Sequence, residues 1–536
     1  MGIELKRIEG FEDLWMVGGE TNGYVIVRNG KSLMIDCPAK NFAGLFEKNG
    51  IPSPELILHT QVQEEHCREW AAFPGAGVRV YKKSEPVALL SGEFLAAYDT
   101  VWDMDADWTV DRGMERFGLG SCVTERPPKK ALNVTEAFDD GETLEWNGEV
   151  FKFLALPGSG KYACAIHWIG ENAVFSGDAV NKGGWLANMY DLERCYGHPY
   201  GYAELAESLR KLTGLEPKAL LPSSGPIICE PASDCAALAE RIKWTQSPPS
   251  YRTGEEQSFV NYAPARQFGR YKEVVPGVYQ NNNAGNMILF VNENGGGLLV
   301  DPDNCVWESW DENVRAFHGD LDLLEKETGL KKIDMAVLTH IHGDHVRFTD
   351  IVRERYGAVI AAAPDVAAAV SEPRKFPYPC RIPWYGLPFD HIKIDRILKY
   401  DECFDWSGVS VKTIRTPGHS YAHTGFVIKW GGYTAVCTGD TLQYGSGPIC
   451  CSLPVLYSDT AWPDRGFTVT YKNILEHGAD LILGGHSFSF FDPKHETVTL
   501  LDRAAKESME LAKKMLVDGD LMKAMTPPGY DDIRVE

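Results

Sequence analysis

Apolar residues along this chain fall into short runs broken by polar turns, and the runs recur in the same order twice. The first landmark, NGYVIVRNGKSLMIDCP (residues 22–38), breaks at Asn-Gly between apolar stretches, the pattern of two strands joined by a tight turn. GNMILFVNENGGGLLVDPD (285–303) repeats it, and both second strands end on an Asp. An apolar strand then runs into a polar cluster, ELILHTQVQEEHC from Glu55 and MAVLTHIHGDHVR from Met335. A Pro-Gly turn follows, ALPGSG from Ala155 against RTPGHS from Arg415. Next come AVFSGDAV from Ala173 against AVCTGDTL from Ala435, and finally ALLPSSGP from Ala219 against LILGGHSF from Leu481. The last step is 46 residues in each copy, from Asp178 to Ser224 and from Asp440 to His486.

Five ordered matches predict a tandem duplication. Strands rich in Val, Ile and Leu alternate with helical patterns such as DENVRAFHGDLDLLEKETG (311–329), so each copy reads as a mixed α/β (α+β) sandwich rather than an all-β barrel. The join falls in the polar, Pro- and Gly-containing stretch 247–271, after the helical pattern DCAALAERIKWTQ. This gives a first domain over 1–250, a linker over 251–270 and a second domain over 271–536 that closes with an amphipathic helix, HETVTLLDRAAKESMELAKKMLVDG. At 536 residues the chain is long enough for two cores.

Charge narrows the partners. Seventy-five Asp and Glu against 53 Lys and Arg leave a net charge of −22, which repels phosphodiester backbones and anionic lipid and points to a small-molecule substrate. The opening MGIELKRIEGFEDLWMVGG has acidic residues and no continuous apolar core, so neither a secretory signal nor a membrane span is expected there. Thirteen cysteines without a Cys-x-x-Cys pair suit reduced thiols, and a cytoplasmic location is the expectation.

The chemistry concentrates after the strand pattern DMAVL, where the chain reads THIHGDH over 339–345. Side chains alternate on an extended segment, so His340 and His342 share a face, and Asp344 and His345 follow as the chain turns toward a helix. Neutral imidazole and carboxylate both bind zinc, and four such groups within six residues exceed what a solvated loop or a pair of core histidines would need. Later landmarks add His419 in TPGHS, Asp440 in CTGDT and His486 in LGGHS.

This set resembles the HxHxDH signature and its downstream partners in the metallo-β-lactamase superfamily, in particular the glyoxalase II and lactonase type. The resemblance covers nearly all of the second half. It implies two tandem αββα sandwich domains, the second of them catalytic. One metal would be held by His340, His342 and His419, and a second by Asp344, His345 and His486, with Asp440 bridging. It further implies two zinc ions, with iron or manganese as alternatives, activating water to hydrolyse a thioester, ester or lactone of a small metabolite. Asp344 and Asp440 would orient the water and move its proton. In the first half Gln61, Gln63, Glu65 and His66 stand at the signature positions, and Ser159 and Ser224 replace the other two histidines. Only His66, Glu65 and Asp178 keep ligand character there, so this copy reads as degenerate and as an intramolecular partner in a pseudo-dimer.

His423 falls where the family often carries a supporting histidine, and Asp301, kept as Asp36 in the first half, reads as structural. His59, His318, His477 and His495 read as core or surface fillers. The segment 371–396 is dense in Pro, aromatics and Arg; Arg374, Lys375, Arg381, Trp384 and Tyr385 there are candidate substrate contacts if it forms a lid, and packing partners otherwise. Two rival chemistries share the fold, a phosphodiesterase or nuclease and an iron-dependent persulfide dioxygenase; a retained full ligand set argues against the single-iron reaction.

Overall fold

The computed structural model describes residues 3–89, 130–189, 200–252, 266–372, 388–442, 447–453 and 464–525, together with residue 192 and less positions 20, 39–40, 283–284, 305, 307, 390 and 487. The described residues form two compact units. Those up to 248 group with 510–525, and 249–509 make the other.

Each unit is built on a pair of large sheets, and the second also holds a two-stranded sheet of Ser250–Tyr251 with Ile449–Cys450. In the first, a seven-stranded sheet runs in chain order from Glu4–Arg7 to Val134–Phe138, and a five-stranded sheet holds Thr143–Trp146 through Ala219–Pro222. In the second, an eight-stranded sheet runs from Arg266–Phe268 to Arg396–Ile397, and a six-stranded sheet from Cys403–Trp406 to Ser489–Phe491. Arg266–Phe268 lies within the stretch expected as linker, of which 253–265 fall outside the described residues.

The apolar runs are strands buried on both faces, which is why they lack a polar alternate. In the second unit Ile288, Phe290, Leu298, Val300, Met335 and Val337 face the other sheet and pack with Val411, Phe426, Ile428, Cys437 and Leu483. Their neighbours Leu289, Leu299, Ala336 and Leu338 point the opposite way, onto Phe317, Leu321, Leu324 and Val352 of the covering helices. The period of two thus sorts one run of residues into two cores. The first unit repeats the arrangement, with Tyr24, Ile26, Leu33 and Ile35 between its sheets and Val25 and Met34 on the outer layer.

Local signals set the elements. Asn29 and Gly30 close the first hairpin with φ of 52° and 74°, as a two-residue turn needs. Helix Trp310–Thr328 starts at a capping box between Ser309 and Glu312 and stops at Gly329, φ 77°. The end of helix Glu496–Lys513 and the short helix Leu521–Met525 group with the first unit. There the N–H of Leu186 donates to Met515 O and that of Met189 to Ala524 O. The boundary of 271–536 drawn from sequence therefore differs from the grouping of the coordinates, because an amphipathic pattern shows that a helix is covered without naming what covers it.

The repeat extends to the backbone itself. Asp36 and Asp301 end equivalent strands with φ of 54° and 52°, a left-handed conformation that few non-glycine residues adopt. Gly177 pairs with Gly439 (57° and 47°), and Gly158 with Gly418 (145° and 130°). The tie between sheets is also duplicated: Cys164 N donates to Thr60 O at 2.8 Å, and Thr424 N to Thr339 O at 2.7 Å. No helix among the described residues is long and apolar enough to cross a membrane, and no disulfide forms among the described cysteines.

Candidate metal centre

The seven residues singled out in the second half come together at the carboxyl ends of its strands. His340 and His342 follow strand Lys332–Leu338, and Asp344 and His345 lie in the single turn Gly343–Val346. His419 comes from the turn after Val409–Arg415, Asp440 follows Tyr433–Gly439, and His486 follows Leu481–Gly484. One donor atom each from His340, His342, His419 and Asp440 lies within 4.8 Å of the others, and the same holds for Asp344, His345 and His486. Asp440 reaches toward both groups, with Oδ2 at 3.4 Å from His419 Nε2 and 3.1 Å from His486 Nε2, and Oδ1 at 3.2 Å from His345 Nε2.

Asp301, His340 and His345 also cluster, but the Asp301 carboxylate is already engaged. It accepts from Thr339 N at 2.8 Å and Thr339 Oγ1 at 2.6 Å, and from His345 Nδ1 at 2.9 Å. Because Nδ1 of His345 is committed to Asp301, its Nε2 is the nitrogen turned to the centre. Thr339 Oγ1 gives its proton to Asp301 and so accepts from His340 Nδ1 at 2.9 Å, which turns His340 Nε2 inward too.

Those inward atoms test whether a cation fits. His340 Nε2, His345 Nε2, Asp344 Oδ1 and Asp440 Oδ1 are all buried without a hydrogen-bond partner, the last facing His345 Nε2 off-line. A buried polar atom left so costs about 1–3 kcal/mol, so four in one place are a deficit that a cation would remove together. His342 Nδ1 and His419 Nε2 stand 3.0 Å apart. Ligands at about 2.0–2.1 Å on a tetrahedral ion are separated by about 3.4 Å, so these spacings suit the donor set.

At three of the histidines electrostatics agree with ligation. Burial lowers the pKa of His340 and His342 well below the usual imidazole value and that of His419 to about 4, despite the opposing Asp440 carboxylate at the last two. All three are then neutral donors at physiological pH. His345 goes the other way: burial opposes its charge, but Asp440, Asp301 and Asp344 surround it and raise its pKa. His423 offers no atom to the ligand groups. Its ring stacks on His340 at 4.6 Å, and its Nδ1 meets Thr416 Oγ1 at 2.8 Å.

Some contributors carried no recognised signal in sequence. Arg347 and Asp303 form a buried two-pronged ion pair at 2.7 and 2.8 Å beside the HxHxDH turn. Asn286 contacts two ligand segments, and a Cβ on Gly485 would meet Asp440 Oδ1 at 2.0 Å. The last two recur in the repeat only as Asn22 and Ser223, which gave no chemical reason to notice them. Arg374, Lys375, Arg381, Trp384 and Tyr385 lie outside the described residues. Of the expected fillers, His59 is buried and His318 is exposed, while His477 and His495 are half-buried.

In the first unit the same frame holds different chemistry. Thr60 donates to Asp36 through N at 2.9 Å and Oγ1 at 2.6 Å, as Thr339 does to Asp301. His66 stands between Asp36 Oδ2 at 3.2 Å and Asp178 Oδ2 at 2.9 Å, and the Gln61 amide donates to Asp178 at 2.6 Å. No group of three metal-ligating side chains gathers among the described residues of this unit, Glu65, His66 and Asp178 included.

A proton on His66 supplies positive charge there. Burial opposes it, but Asp178 and Asp36 raise the pKa well above the usual value of about 6.5. A raised folded pKa contributes stability that is complete below about pH 6.5 and is lost as pH rises through the folded value. Asp36 has the opposite sign: burial is outweighed by His66 and His59, its pKa is lowered, and its contribution is lost only as pH falls below about 3.9. Urea denaturation of the full chain should therefore show a first-unit transition that weakens from pH 6 to pH 9, and His66→Gln should flatten that dependence. An equal slope in the variant would contradict the assignment.

The model of the metallo-beta-lactamase superfamily matches residues 53–224 and 282–486, more than half of the chain. The chain belongs to the metallo-β-lactamase superfamily. Its two matched regions are the two copies of the repeat, so this is a tandem metallo-β-lactamase chain whose first copy gathers no such ligand group among its described residues. Over 139 residues it is 28% identical to Glyoxylase B2 of Dictyostelium discoideum, an alignment spanning 26% of this chain and 44% of that protein, less than half its length. Among solved structures it resembles a metallo-β-lactamase family protein of Thermus thermophilus, at 18% identity and a TM-score of 0.33, over 44% of this chain and 81% of that one. It also resembles a metallo-β-lactamase of Pontibacter korlensis, at 13% identity and a TM-score of 0.33, over 45% and 99% of the two chains.

Proposed function

We propose that the second unit is a hydrolase carrying two divalent cations, zinc in the first instance, and acting on a thioester, ester or lactone of a small metabolite. The observation that carries this reading is the pair of donor groups, three histidines with Asp440 and Asp344 with two histidines, closed by a carboxylate that reaches both. When bound, such cations supply Lewis acidity toward a carbonyl oxygen and make water nucleophilic near neutral pH.

The chain's own groups do the rest. Asp440 and Asp344 hold the attacking water in line and take its proton, which then passes to the leaving thiol or alcohol. Thr339 and Asp301 fix the tautomers of His340 and His345, so that no ring reorients during the reaction. Access lies on the side of His486 and His419, whose side chains are 28% and 10% exposed while that of His345 is fully covered.

The partial likeness to Glyoxylase B2 and the net charge of −22 favour acyl hydrolysis over attack on a nucleic-acid phosphodiester. Zinc-loaded protein should turn over at least one member of a thioester and lactone panel, and a chelator should abolish that activity. Cleavage of a phosphodiester with no turnover anywhere in the panel would overturn the acyl reading.

A further inference from the structure

The candidate ligands sit on segments that follow strand ends, and such segments need something to hold them in register. The registers of the two hairpins place Asn286 and Asn22 at one position. Tyr24 pairs with Ile35, just before Asp36, and Ile288 pairs with Val300, just before Asp301, which puts each Asn two residues before its paired strand residue. The two amides nonetheless make different bonds.

In the first unit Asn22 Nδ2 donates to Pro222 O at 3.1 Å and Gly225 O at 2.8 Å, both in the turn that carries Ser224. In the second unit Asn286 Nδ2 donates to Asp344 O at 3.0 Å and to Asp344 Oδ2 at 3.2 Å. Its Oδ1 accepts from His486 N at 2.6 Å. One side chain, 1% exposed, thus joins a carboxylate ligand to the backbone of a histidine ligand 142 residues further along the chain. Reversing the amide would set oxygen against the Asp344 oxygens and N–H against N–H, so the orientation follows from its partners.

The join is needed because the His486 segment is both strained and crowded. His486 sits at φ 50°, a left-handed conformation that costs a non-glycine residue of order 1 kcal/mol or more unless its surroundings hold it. Gly485 before it lies so close to Asp440 that no side chain fits, and its own N–H donates to Gly439 O at 2.6 Å. The counterpart Ser224 has no such φ. Where the histidine is absent, the asparagine's amide donates to the turn; where it is present, the amide spans the two candidate ligand segments.

We propose that Asn286 is the positioning residue of the Asp344, His345 and His486 donor group, setting the affinity of that group for its cation without contacting cation or substrate. This rests on the two-cation reading above and deepens it. The isosteric variant Asn286→Asp keeps the acceptor for His486 N but cannot donate to Asp344 and adds a charge beside it, whereas Asn286→Ala removes both contacts.

The experiment titrates metal-free full-length chain with zinc against a competing chelator, for wild type, N286A and N286D, with thermal melts of each metal-free protein beside it. Wild type should take up two equivalents. Both variants should keep the first at wild-type affinity and bind the second roughly 10–100-fold more weakly, the effect usual for residues that orient metal ligands. Cobalt titrated in place of zinc should show the spectrum of the second equivalent alone altered. N286D, whose shape is that of wild type, carries the result if N286A does not fold. Two equivalents at wild-type affinity in N286D, or equal weakening of both, would overturn the inference. A wild-type protein that binds no second equivalent would overturn the two-cation reading instead.

Discussion

Asp440→Asn is expected to lower turnover by about 10²–10⁴-fold, the range for a positioned acid–base group, while Asp178→Asn at the equivalent place in the first unit leaves it unchanged. The asymmetry follows from surroundings. Asp440 lies within 3.4 Å of nitrogens from three candidate ligand histidines, and burial is outweighed by His345 and by hydrogen bonding from His486, so that it stays ionised. Asn keeps the shape but loses one anionic oxygen, and with it the ability to serve both donor groups and accept a proton. Asp178 meets His66, Gln61 and Ser224, none of them part of a ligand group. The check is kcat and KM on whichever panel member the wild type hydrolyses, with metal content measured on the same samples. A fall in kcat with KM held would place the loss in the chemical step. Equal losses from the two substitutions would show that the first unit takes part in catalysis.

The second large effect is on stability. Arg347→Ala should cost about 3–5 kcal/mol, because it removes the cation paired with the Asp303 carboxylate in a site that water does not reach. The pair also holds the HxHxDH turn: Arg347 directly follows helix Gly343–Val346, and Asp303 N donates to Asp301 O. Its counterpart Arg68 reaches Glu64 at 3.7 Å with both side chains partly exposed. In a urea titration of the full chain, the transition that zinc shifts is the one Arg347→Ala should lower. A midpoint unchanged in that variant would contradict the role given to the pair.

The seven candidate ligands were legible because few side chains bind metal, so seven such residues at fixed places in a repeat leave little else to propose. The strand runs were legible because burial on both faces removes polar residues from a segment such as Lys332–Leu338. Asn286 was not, since an asparagine at the start of a hairpin is ordinarily a turn residue, and only coordinates show its amide between Asp344 and His486. Arg347 was hidden for a similar reason, because an Arg after a helical turn is usually solvated. Nor does the helix Glu496–Lys513 announce in sequence that residues beyond 510 group with the first unit. The choice among zinc, iron and manganese is not written in the donor set either, since imidazole and carboxylate serve all three.

The most direct measurement is metal bound per chain, by plasma mass spectrometry after zinc loading and exhaustive dialysis, for wild type beside His340→Ala and His345→Ala. The account predicts two equivalents in wild type and a deficit in each variant. A wild-type chain that retains no metal, or variants that retain as much as wild type, would contradict it.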